Sequence, residues 1–193
     1  MPRRRPIPRR RRIFVGAEGD GERIFAQWLQ GLCDDLDLHL HLDIVVAGGN
    51  ETRWVVEHAV DQRKRRNESR IRDSGALVFL DSDRLDGDRA AGRDPETVPG
   101  RRDLQLVYLR PNLEGLLVRF HRGKERQFES APNAKRRLER LWPEYRKPMS
   151  AASLRRRFNL DDLRRAAHHD PSLRNALALL GLLPKHHGLS RSP

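Results

Sequence analysis

The feature that most constrains the fold of this chain is an uninterrupted apolar run, Ala-Leu-Val-Phe-Leu, at residues 76–80 between Gly75 and the acidic sequence Asp81-Ser-Asp83. A short apolar run with such boundaries indicates a parallel strand that is covered on both faces. Segments with strand character also occupy residues 12–17, 37–47 and 104–109, and helical patterns separate the first three strands. The sequence therefore predicts an α/β fold, an open, mainly parallel four-stranded sheet with helices on both faces.

The first strand leads into a two-glycine turn and a helix, and two glutamates flank this junction. Glu18 stands at the end of the strand and Glu22 in the first helical turn, where exposed backbone amides favour a carboxylate. The helix is predicted to pack on the sheet because its apolar residues recur three and four positions apart, at Ile24, Phe25, Trp28, Leu29 and Leu32. A favourable interaction with the helix dipole is enough to explain Glu22. It does not explain Glu18, which lies at the end of the strand before the helix begins.

Four acidic residues are predicted to meet at one edge of the sheet. Positions i and i+2 of an extended chain point the same way, so Asp81 and Asp83 should project together beyond the third strand. Placing that strand beside the first brings Glu18 and Glu22 to the same carboxyl edge, where open α/β sheets bind ligands. A divalent cation would relieve their mutual repulsion, and an all-oxygen ligand set favours Mg²⁺ or Mn²⁺ over Zn²⁺.

The order and spacing of these motifs resemble those of the Toprim fold of topoisomerases, bacterial primases, recombination-repair proteins and OLD-family nucleases. Within that group the chain is most similar to the small RloB-like proteins. Their E-G-x-T-E motif is matched by Glu18-Gly-Asp-Gly21-Glu22, with glycine in place of threonine, and their D-x-D motif by Asp81-Ser-Asp83. The resemblance covers residues 12–180 or thereabouts and implies a Toprim-like (Rossmann-like) fold.

Two later segments extend the resemblance. A P-x-x-E motif before a helix is similar to Pro-Asn-Leu113-Glu114, in which leucine stands where the pattern has phenylalanine. A terminal pattern of P-x-x-K and Y-x-K is similar to Pro-Asn-Ala-Lys135 and to Tyr145-Arg-Lys147. Helix-dipole compensation alone would explain Glu114, but its segment follows the fourth strand and should emerge at the edge that carries the other acids.

The resemblance implies a Mg²⁺- or Mn²⁺-dependent nuclease that cleaves phosphodiester bonds of DNA or RNA, in a group often associated with phage defence. The implied metal ligands are Glu18, Glu22, Asp81 and Asp83, and the implied catalytic residues are Glu18, Glu114, Lys135 and Lys147. Glu18 would relay a proton, Glu114 would position substrate or act as an outer acid, and one of the two lysines would stabilise developing phosphate charge.

Two other functions remain open on the sequence alone. A Toprim-shaped protein without catalytic activity could bind nucleic acid or a partner protein. A phosphatase of the haloacid-dehalogenase type also has a D-x-D motif after a strand. That class places the motif on its first strand, however, whereas Asp81 and Asp83 follow the third strand of this chain.

The charge of the chain is unevenly distributed. Residues 1–12 carry seven arginines and no acid, which is more than half of the net charge of +12. Prolines among these arginines oppose burial, so residues 1–11 are predicted to be a disordered basic tail that either neutralises phosphates or aids solubility. A Toprim-like core is assigned to residues 12–122, and a helical C-terminal extension packed on it to residues 123–193.

Composition limits the remaining possibilities. A single cysteine, Cys33, excludes a disulfide framework within the chain. The sequence has no apolar run of membrane-spanning length and no secretory signal, which predicts a cytoplasmic protein without a membrane partner.

Residues 84–102 are predicted to form a long surface loop near the site. A partner protein encoded nearby is compatible with the sequence, which does not define the oligomeric state.

Overall fold

A computed structural model describes residues 9–48 and 51–184. Its four strands, which form one sheet, are β1 (Arg11–Ala17), β2 (Leu40–Val46), β3 (Ala76–Asp81) and β4 (Leu104–Leu109). The strand order is β2-β1-β3-β4, and every neighbouring pair is parallel. The predicted α/β fold with a four-stranded parallel sheet is thereby confirmed, and the architecture is Rossmann-like.

The first four helices in the described part of the chain are α1 (Asp20–Asp35), α2 (Thr52–Ser69), α3 (Leu85–Ala90) and α4 (Leu113–Arg119). The remaining helices there are α5 (Ala131–Leu141), α6 (Ala151–Arg157), α7 (Leu160–His168) and α8 (Pro171–Leu180). Helices α1, α2 and α4 each follow a strand. Each of these three helices therefore begins at the carboxyl edge of the sheet, which is where the predicted acids lie.

Alternate residues of the strands build two apolar layers. Ile13, Val15 and Phe79 face α1, α4 and the C-terminal helices, which together form the larger core. Phe14 and Val78 face α2 in the smaller core. Strands buried on both faces read as continuous apolar runs, which is why residues 76–80 carry no alternation.

The C-terminal helices belong to the larger core and are not an independent unit. Leu138, Leu154, Leu163 and Leu177 from α5, α6, α7 and α8 are all buried in it. A fully buried ion pair joins Arg119 at the end of α4 to Asp170, with 3.0 Å between Nη2 and Oδ2. Residues 185–193, which the sequence assigned to the helical extension, lie outside the described residues.

The prediction of a long loop at residues 84–102 is wrong. This segment contains α3 and the 3-10 turn Pro95–Thr97, and a second such turn, Arg101–Asp103, begins at its end. The buried carboxylate of Asp88 explains part of this order, because its Oδ2 accepts hydrogen bonds from the amide and the hydroxyl of Thr52 at the start of α2 (3.1 and 2.8 Å). The segment therefore packs against α2 and fixes where that helix begins.

The predicted basic tail ends earlier than the sequence indicated. Arg11, which had been assigned to it, is the first residue of β1, and its amide donates a hydrogen bond of 2.8 Å to the carbonyl of His39. Residues 1–8 lie outside the described residues. Among the helices of residues 9–48 and 51–184, none is both long and apolar enough to cross a membrane.

Candidate metal centre

The ends of β1 and β3 bring the first two motifs together. Ala17 pairs with Phe79, so the chain leaves both strands at the same edge. One residue after β1, Glu18 Oε2 accepts a hydrogen bond of 3.0 Å from the backbone amide of Asp81, the last residue of β3. Two motifs that are 63 residues apart in sequence are therefore in direct contact.

Glu22 approaches Glu18 and Asp81 from the first turn of α1. These three residues and Asp83 are called the carboxylate cluster. The side chain of Glu22 is only 7% exposed, and its Oε2 accepts a hydrogen bond of 2.9 Å from the amide of Gly19. Burial raises the pKa of Glu22, and the nearby carboxylate of Glu114 raises it further. The sequence-based interpretation of Glu22 as a residue that only compensates the helix dipole does not account for this burial.

Asp81 is the most perturbed carboxylate of the cluster. Its Oδ1 is buried and has no hydrogen-bond partner in the described part of the chain. Burial, followed by the charges of Glu22, Glu18 and Asp83, raises the pKa of Asp81 to about 9. The pKa of Glu18 is also raised, first by burial and then by Glu22 and Asp83. The cluster therefore carries electrostatic repulsion that its own hydrogen bonds leave uncompensated.

Asp83 lies differently from the sequence-based expectation. The strand ends at Asp81, and the chain then turns because the amide of Ser82 donates hydrogen bonds to the carbonyls of Leu109 (3.0 Å) and Pro111 (2.8 Å). The expectation that Asp81 and Asp83 project from one extended segment is wrong for that reason. Asp83 is exposed in this turn, close enough to raise the pKa values of Glu18 and Asp81.

Glu114 is brought to the same edge by the turn between β4 and α4. The side chain of Asn112 caps α4 by accepting a hydrogen bond from the amide of Gly115 (3.1 Å). A Cβ atom at Gly115 would lie 2.5 Å from the carbonyl oxygen of Arg110, so no larger residue fits this tight turn. The backbone constraint at Gly115 thus fixes the residue before it, Glu114, at the first turn of the helix.

Glu114 is a buried acid with two partners. It is 4% exposed, and its Oε1 accepts a hydrogen bond of 3.0 Å from the hydroxyl of Tyr145 and forms an ion pair with Lys147 Nζ. Burial alone would raise the pKa of Glu114, but the hydrogen bond and charge of Lys147 outweigh it and lower that pKa. Glu114 therefore stays charged and holds the cation of Lys147 beside the carboxylate cluster.

The two predicted lysines have different positions. Lys147 reaches the cluster through Glu114, and its side chain remains 62% exposed. Lys135 lies exposed on α5, and no hydrogen bond or ion pair connects it to the described carboxylates. Tyr145 was not among the predicted catalytic residues, although the Tyr145-Arg-Lys147 spacing was the signal that could have identified it. Its burial on Glu114 gives it a place in the centre.

The two departures from the Toprim-like pattern are in contact with each other. Gly21, where the pattern has threonine, lies against Leu113, where the pattern has phenylalanine. A Cβ atom added at Gly21 would lie 3.2 Å from Leu113 Cδ2. The glycine therefore leaves room for the side chain that precedes Glu114, and α1 and α4 approach closely above the carboxylates.

The donor chemistry of this edge fits a hard divalent cation. Its acidic residues, Glu18, Glu22, Asp81, Asp83 and Glu114, offer carboxylate oxygens, and Asp81 Oδ1 is buried without a partner in the described part of the chain. Within residues 9–48 and 51–184 no three such side chains already form a coordination set. One reason is that Glu18 and Glu22 each direct an oxygen to a backbone amide. The second oxygen of each of these two carboxylates has no such amide partner among the described residues and remains available to a cation.

The comparisons with known proteins do not add an identification. No protein-family model, no curated protein and no solved structure matches the chain. The resemblance to the Toprim and RloB-like group therefore stays a prediction that rests on the motif residues and their spacing.

Proposed function

We propose that this protein is a Mg²⁺- or Mn²⁺-dependent phosphodiesterase that cleaves DNA or RNA. The observation that carries the proposal is Asp81, whose buried Oδ1 has no partner among the described residues and whose pKa is raised to about 9 by burial and by neighbouring carboxylates. An acidic cluster of this kind is unfavourable by itself and becomes favourable when a cation is bound.

The residues that would hold the ion are Asp81, Glu18, Glu22 and Asp83. A bound divalent ion supplies Lewis-acid charge to a phosphoryl oxygen and lowers the pKa of coordinated water. Asp81 and Asp83 approach from the end of β3, and Glu18 and Glu22 approach from the β1–α1 junction. Ligands from two neighbouring strand ends of one rigid sheet are fixed relative to each other, as a preorganised site requires.

Two further roles follow from the contacts. Burial raises the pKa of Glu18, and this makes its carboxyl group a better proton acceptor than an exposed glutamate, as a proton relay requires. Lys147 presents an exposed ammonium group that Glu114 holds in place, and such a cation can stabilise the charge that develops on a phosphoryl group. Glu114 and Tyr145 then act as positioning residues for Lys147. Lys135 has no contact that supports the role proposed for it from the sequence.

A polyanionic substrate agrees with the charge of the chain. The net charge is +12, and Arg and Lys together number 39 against 27 acidic residues. A basic protein attracts nucleic acids because each neutralised phosphate releases counterions. The centre itself is acidic, so the surrounding positive charge is needed to bring a phosphodiester to the bound cation.

The direct test is incubation of the purified full chain with end-labelled DNA and RNA, each single-stranded and double-stranded, in Mg²⁺, Mn²⁺ or EDTA. We expect cleavage in the presence of metal, none in EDTA, and a loss of at least about a hundredfold in Asp81→Asn, because a ligand carboxylate is removed. Asp86→Asn is the matched control, since Asp86 is an exposed acid in α3 only five residues away.

Four outcomes would contradict the proposal. Cleavage that persists in EDTA would exclude a role for the cation, and cleavage that survives Asp81→Asn would exclude this centre. Metal-independent binding of nucleic acid with no cleavage of any of the four substrates would favour the alternative of a non-catalytic nucleic-acid-binding protein. Equal losses in Asp81→Asn and Asp86→Asn would show that the effect reflects surface charge and not ligation.

A further inference from the structure

The positive charge of the described chain is concentrated in one segment. Residues 131–157, which contain α5, α6 and the connection between them, hold nine lysines and arginines and two acids, a net charge of +7. The rest of the described chain, residues 9–48, 51–130 and 158–184, contains 25 cationic and 25 acidic residues. Residues 131–157 therefore account for the whole net charge of the described chain, and their exposed side is called the α5–α6 surface.

Acids of neighbouring elements neutralise few of these cations. The ion pairs that cross to other elements join Arg137 to Glu129, Arg155 to Asp35 and Lys147 to Glu114. The six cations without an ion pair in the described part of the chain are Lys135, Arg136, Arg140, Arg146, Arg156 and Arg157. The two acids of the segment, Glu139 and Glu144, form no ion pair there either. Six cations against two acids thus remain on the α5–α6 surface after the ion pairs are counted.

The α5–α6 surface is continuous and reaches the candidate metal centre. The ends of the two helices are joined, because Arg157 Nη2 donates a hydrogen bond of 2.7 Å to the carbonyl of Leu141, the last residue of α5. Between the helices the chain passes the carboxyl edge of the sheet, where Tyr145 and Lys147 both contact Glu114. A ligand that covers this surface would therefore lie beside the carboxylate cluster.

The exposed groups of the α5–α6 surface favour a polyanion over a lipid bilayer. Membrane-binding surfaces combine cations with exposed apolar side chains. Every large apolar side chain of residues 131–157 is buried or half-buried, and the two aromatic ones, Trp142 and Tyr145, are only 6% and 3% exposed. Arg136 and Arg140 lie four residues apart on one face of α5, so they repel each other. Phosphates placed beside them would remove this repulsion and release counterions.

We propose that the α5–α6 surface binds the phosphodiester backbone of double-stranded nucleic acid and directs the duplex to the candidate metal centre. The inference rests on the proposed function and narrows its substrate class to duplexes. A duplex carries one charge per about 1.7 Å of its axis, twice the density of a single strand, so contacts to phosphates alone can bind it. Proteins that bind single strands add exposed aromatic rings on which bases stack, and residues 131–157 expose no such ring.

The test is a binding measurement with the full chain in EDTA, where no metal-dependent cleavage can occur. Fluorescein-labelled DNA and RNA duplexes of one sequence are titrated over a range of salt concentrations, and their anisotropy is recorded. The variant carries Arg136→Gln, Arg140→Gln and Arg156→Gln together. We expect the slope of log affinity against log salt on DNA to become shallower by up to about 2.7, which is about 0.9 for each lost phosphate contact. The affinity at about 0.1 M salt should fall at least about tenfold.

The triple variant should fold normally. Arg136 and Arg140 are exposed and make no hydrogen bond or ion pair in the described part of the chain, and Arg156 donates only to the hydroxyl of Ser153 (3.3 Å). An unchanged melting temperature therefore accompanies the expected loss of affinity. Loss through unfolding would instead lower both quantities together.

Two further variants make the measurement specific. Arg65→Gln is the matched control, because Arg65 is an exposed arginine of α2 without an ion pair in the described part of the chain, and α2 packs on the opposite face of the sheet. It should leave the affinity and the slope unchanged. Glu139→Gln removes an acid from the α5–α6 surface and should strengthen binding.

The results are separable from the nuclease proposal. Equal slopes for the triple variant and the unmodified protein would overturn the α5–α6 surface even if metal-dependent cleavage is observed. The same loss per arginine in Arg65→Gln would overturn it too, since net charge alone would then explain the effect. A reduced slope of the triple variant, with no cleavage by the unmodified protein in Mg²⁺ or Mn²⁺, would leave the surface intact and overturn the nuclease alone.

The choice of ligand is tested in the same experiment. A loss of affinity with both duplexes would show that the backbone is recognised, and a loss with DNA or RNA alone would assign the surface to that duplex. Tighter binding of a single strand than of either duplex would overturn the assignment to duplexes. Binding of phosphatidylserine vesicles without binding of either duplex would show that the surface meets a membrane, and would overturn the proposal.

Discussion

The backbone amide of Asp81 donates a hydrogen bond of 3.0 Å to Glu18 Oε2, beyond the last ladder pair of β1 and β3, which is Ala17 with Phe79. One carboxylate therefore continues the pairing of two strands and also belongs to an acidic cluster. Burial raises the pKa of Glu18, the hydrogen bond from the Asp81 amide opposes this rise, and the charge of Glu22 adds to it. The strand ends and the electrostatics of the centre are consequently coupled.

Asp81→Asn should stabilise the metal-free protein, and the gain should grow with pH. The pKa of Asp81 is about 9 in the folded protein against a model-peptide value of 3.8. A raised folded pKa contributes stability below about pH 4 that is lost as the pH rises towards 9. The asparagine does not titrate, so we expect a gain of roughly 1–3 kcal/mol at pH 8 in EDTA and almost none at pH 4.

Urea denaturation at the two pH values measures this difference. Asp86→Asn serves as the control, because Asp86 is exposed and its substitution should change the free energy of unfolding equally little at both pH values. If Asp81→Asn is instead less stable than the unmodified protein at pH 8 in EDTA, the Asp81 carboxylate makes favourable interactions in the folded state that outweigh its burial and the neighbouring charges.

Millimolar Mg²⁺ or Mn²⁺ should raise the melting temperature at neutral pH. A ligand that binds only the folded state adds RT ln(1 + [L]/Kd) to the free energy of unfolding, about 1.4 kcal/mol when the metal concentration is ten times Kd. Asp81→Asn should abolish this increase, since it removes the carboxylate that has an unpartnered oxygen. Differential scanning calorimetry with and without EDTA tests both statements. A melting temperature that changes with neither metal would contradict cation binding by these carboxylates.

Glu114→Gln should reduce metal-dependent cleavage at least about tenfold, because Lys147 would lose the charge that holds it. The helix dipole alone predicts a stability loss of about 0.3–1 kcal/mol. The buried contacts with Tyr145 and Lys147 predict a larger loss, about 1–3 kcal/mol, since a charged acceptor is removed. Cleavage assays and urea denaturation separate these two effects.

Two variants complete the Glu114 experiment. Tyr145→Phe removes one hydrogen bond and no charge, so its effect on cleavage should be the smaller of the two. Glu144→Gln removes an exposed acid next to Tyr145 and should change neither quantity. Full activity of Glu114→Gln would show that Glu114 has only a structural role, and it would leave Lys147 without a demonstrated role.

Arg119→Met should be strongly destabilising. Arg119 and Asp170 are 0% and 1% exposed, and removal of one partner of such a pair leaves an uncompensated buried charge, which costs about 3–5 kcal/mol. Arg155→Met is the matched control, because the pair of Arg155 with Asp35 is 60% and 44% exposed and should contribute less than about 1 kcal/mol. Thermal denaturation of both variants measures the two losses of stability. Similar losses would show that the buried pair contributes no more to stability than the surface pair.

Deletion of residues 2–8 should leave the melting temperature unchanged and flatten the salt dependence of duplex binding. These residues contain three arginines, and each lost phosphate contact reduces the slope of log affinity against log salt by about 0.9. The deletion stops before Arg10, which forms an ion pair with Asp34, and before Arg11 in β1. Filter binding over a range of salt concentrations gives the slopes. Identical slopes would show that residues 2–8 make no phosphate contacts and would leave solubility as their role.

The sheet and the meeting of its acids could be predicted because both depend on local patterns. The apolar run at residues 76–80 and the turn after Ala17 define two strands, and the parallel rule places their carboxyl ends at one edge. The position of Asp83 could not be predicted in this way. It depends on hydrogen bonds from Ser82 to the β4–α4 turn, a segment nearly thirty residues later that no local pattern links to it.

The environment of Glu114 was equally inaccessible to local reasoning. A glutamate in a first helical turn after a proline has an adequate local explanation, and its burial depends on Tyr145, which is 31 residues away. The order in residues 84–102 has the same origin, because Asp88 is satisfied by Thr52 of α2, 36 residues earlier. Polar residues whose partners are remote in sequence are the part of this centre that only tertiary structure reveals.

The close approach of Gly21 to Leu113 links two sequence positions on different helices. A side chain at position 21 requires Leu113 to shift by a few tenths of an ångström, because a Cβ atom there would lie 3.2 Å from Leu113 Cδ2, closer than an ordinary van der Waals contact. Variation at one of these positions should therefore be accompanied by variation at the other in chains that share this fold. Substitutions at positions 21 and 113 should accordingly be screened together, and not one at a time, to find folded variants with altered packing of α1 against α4 beside the centre.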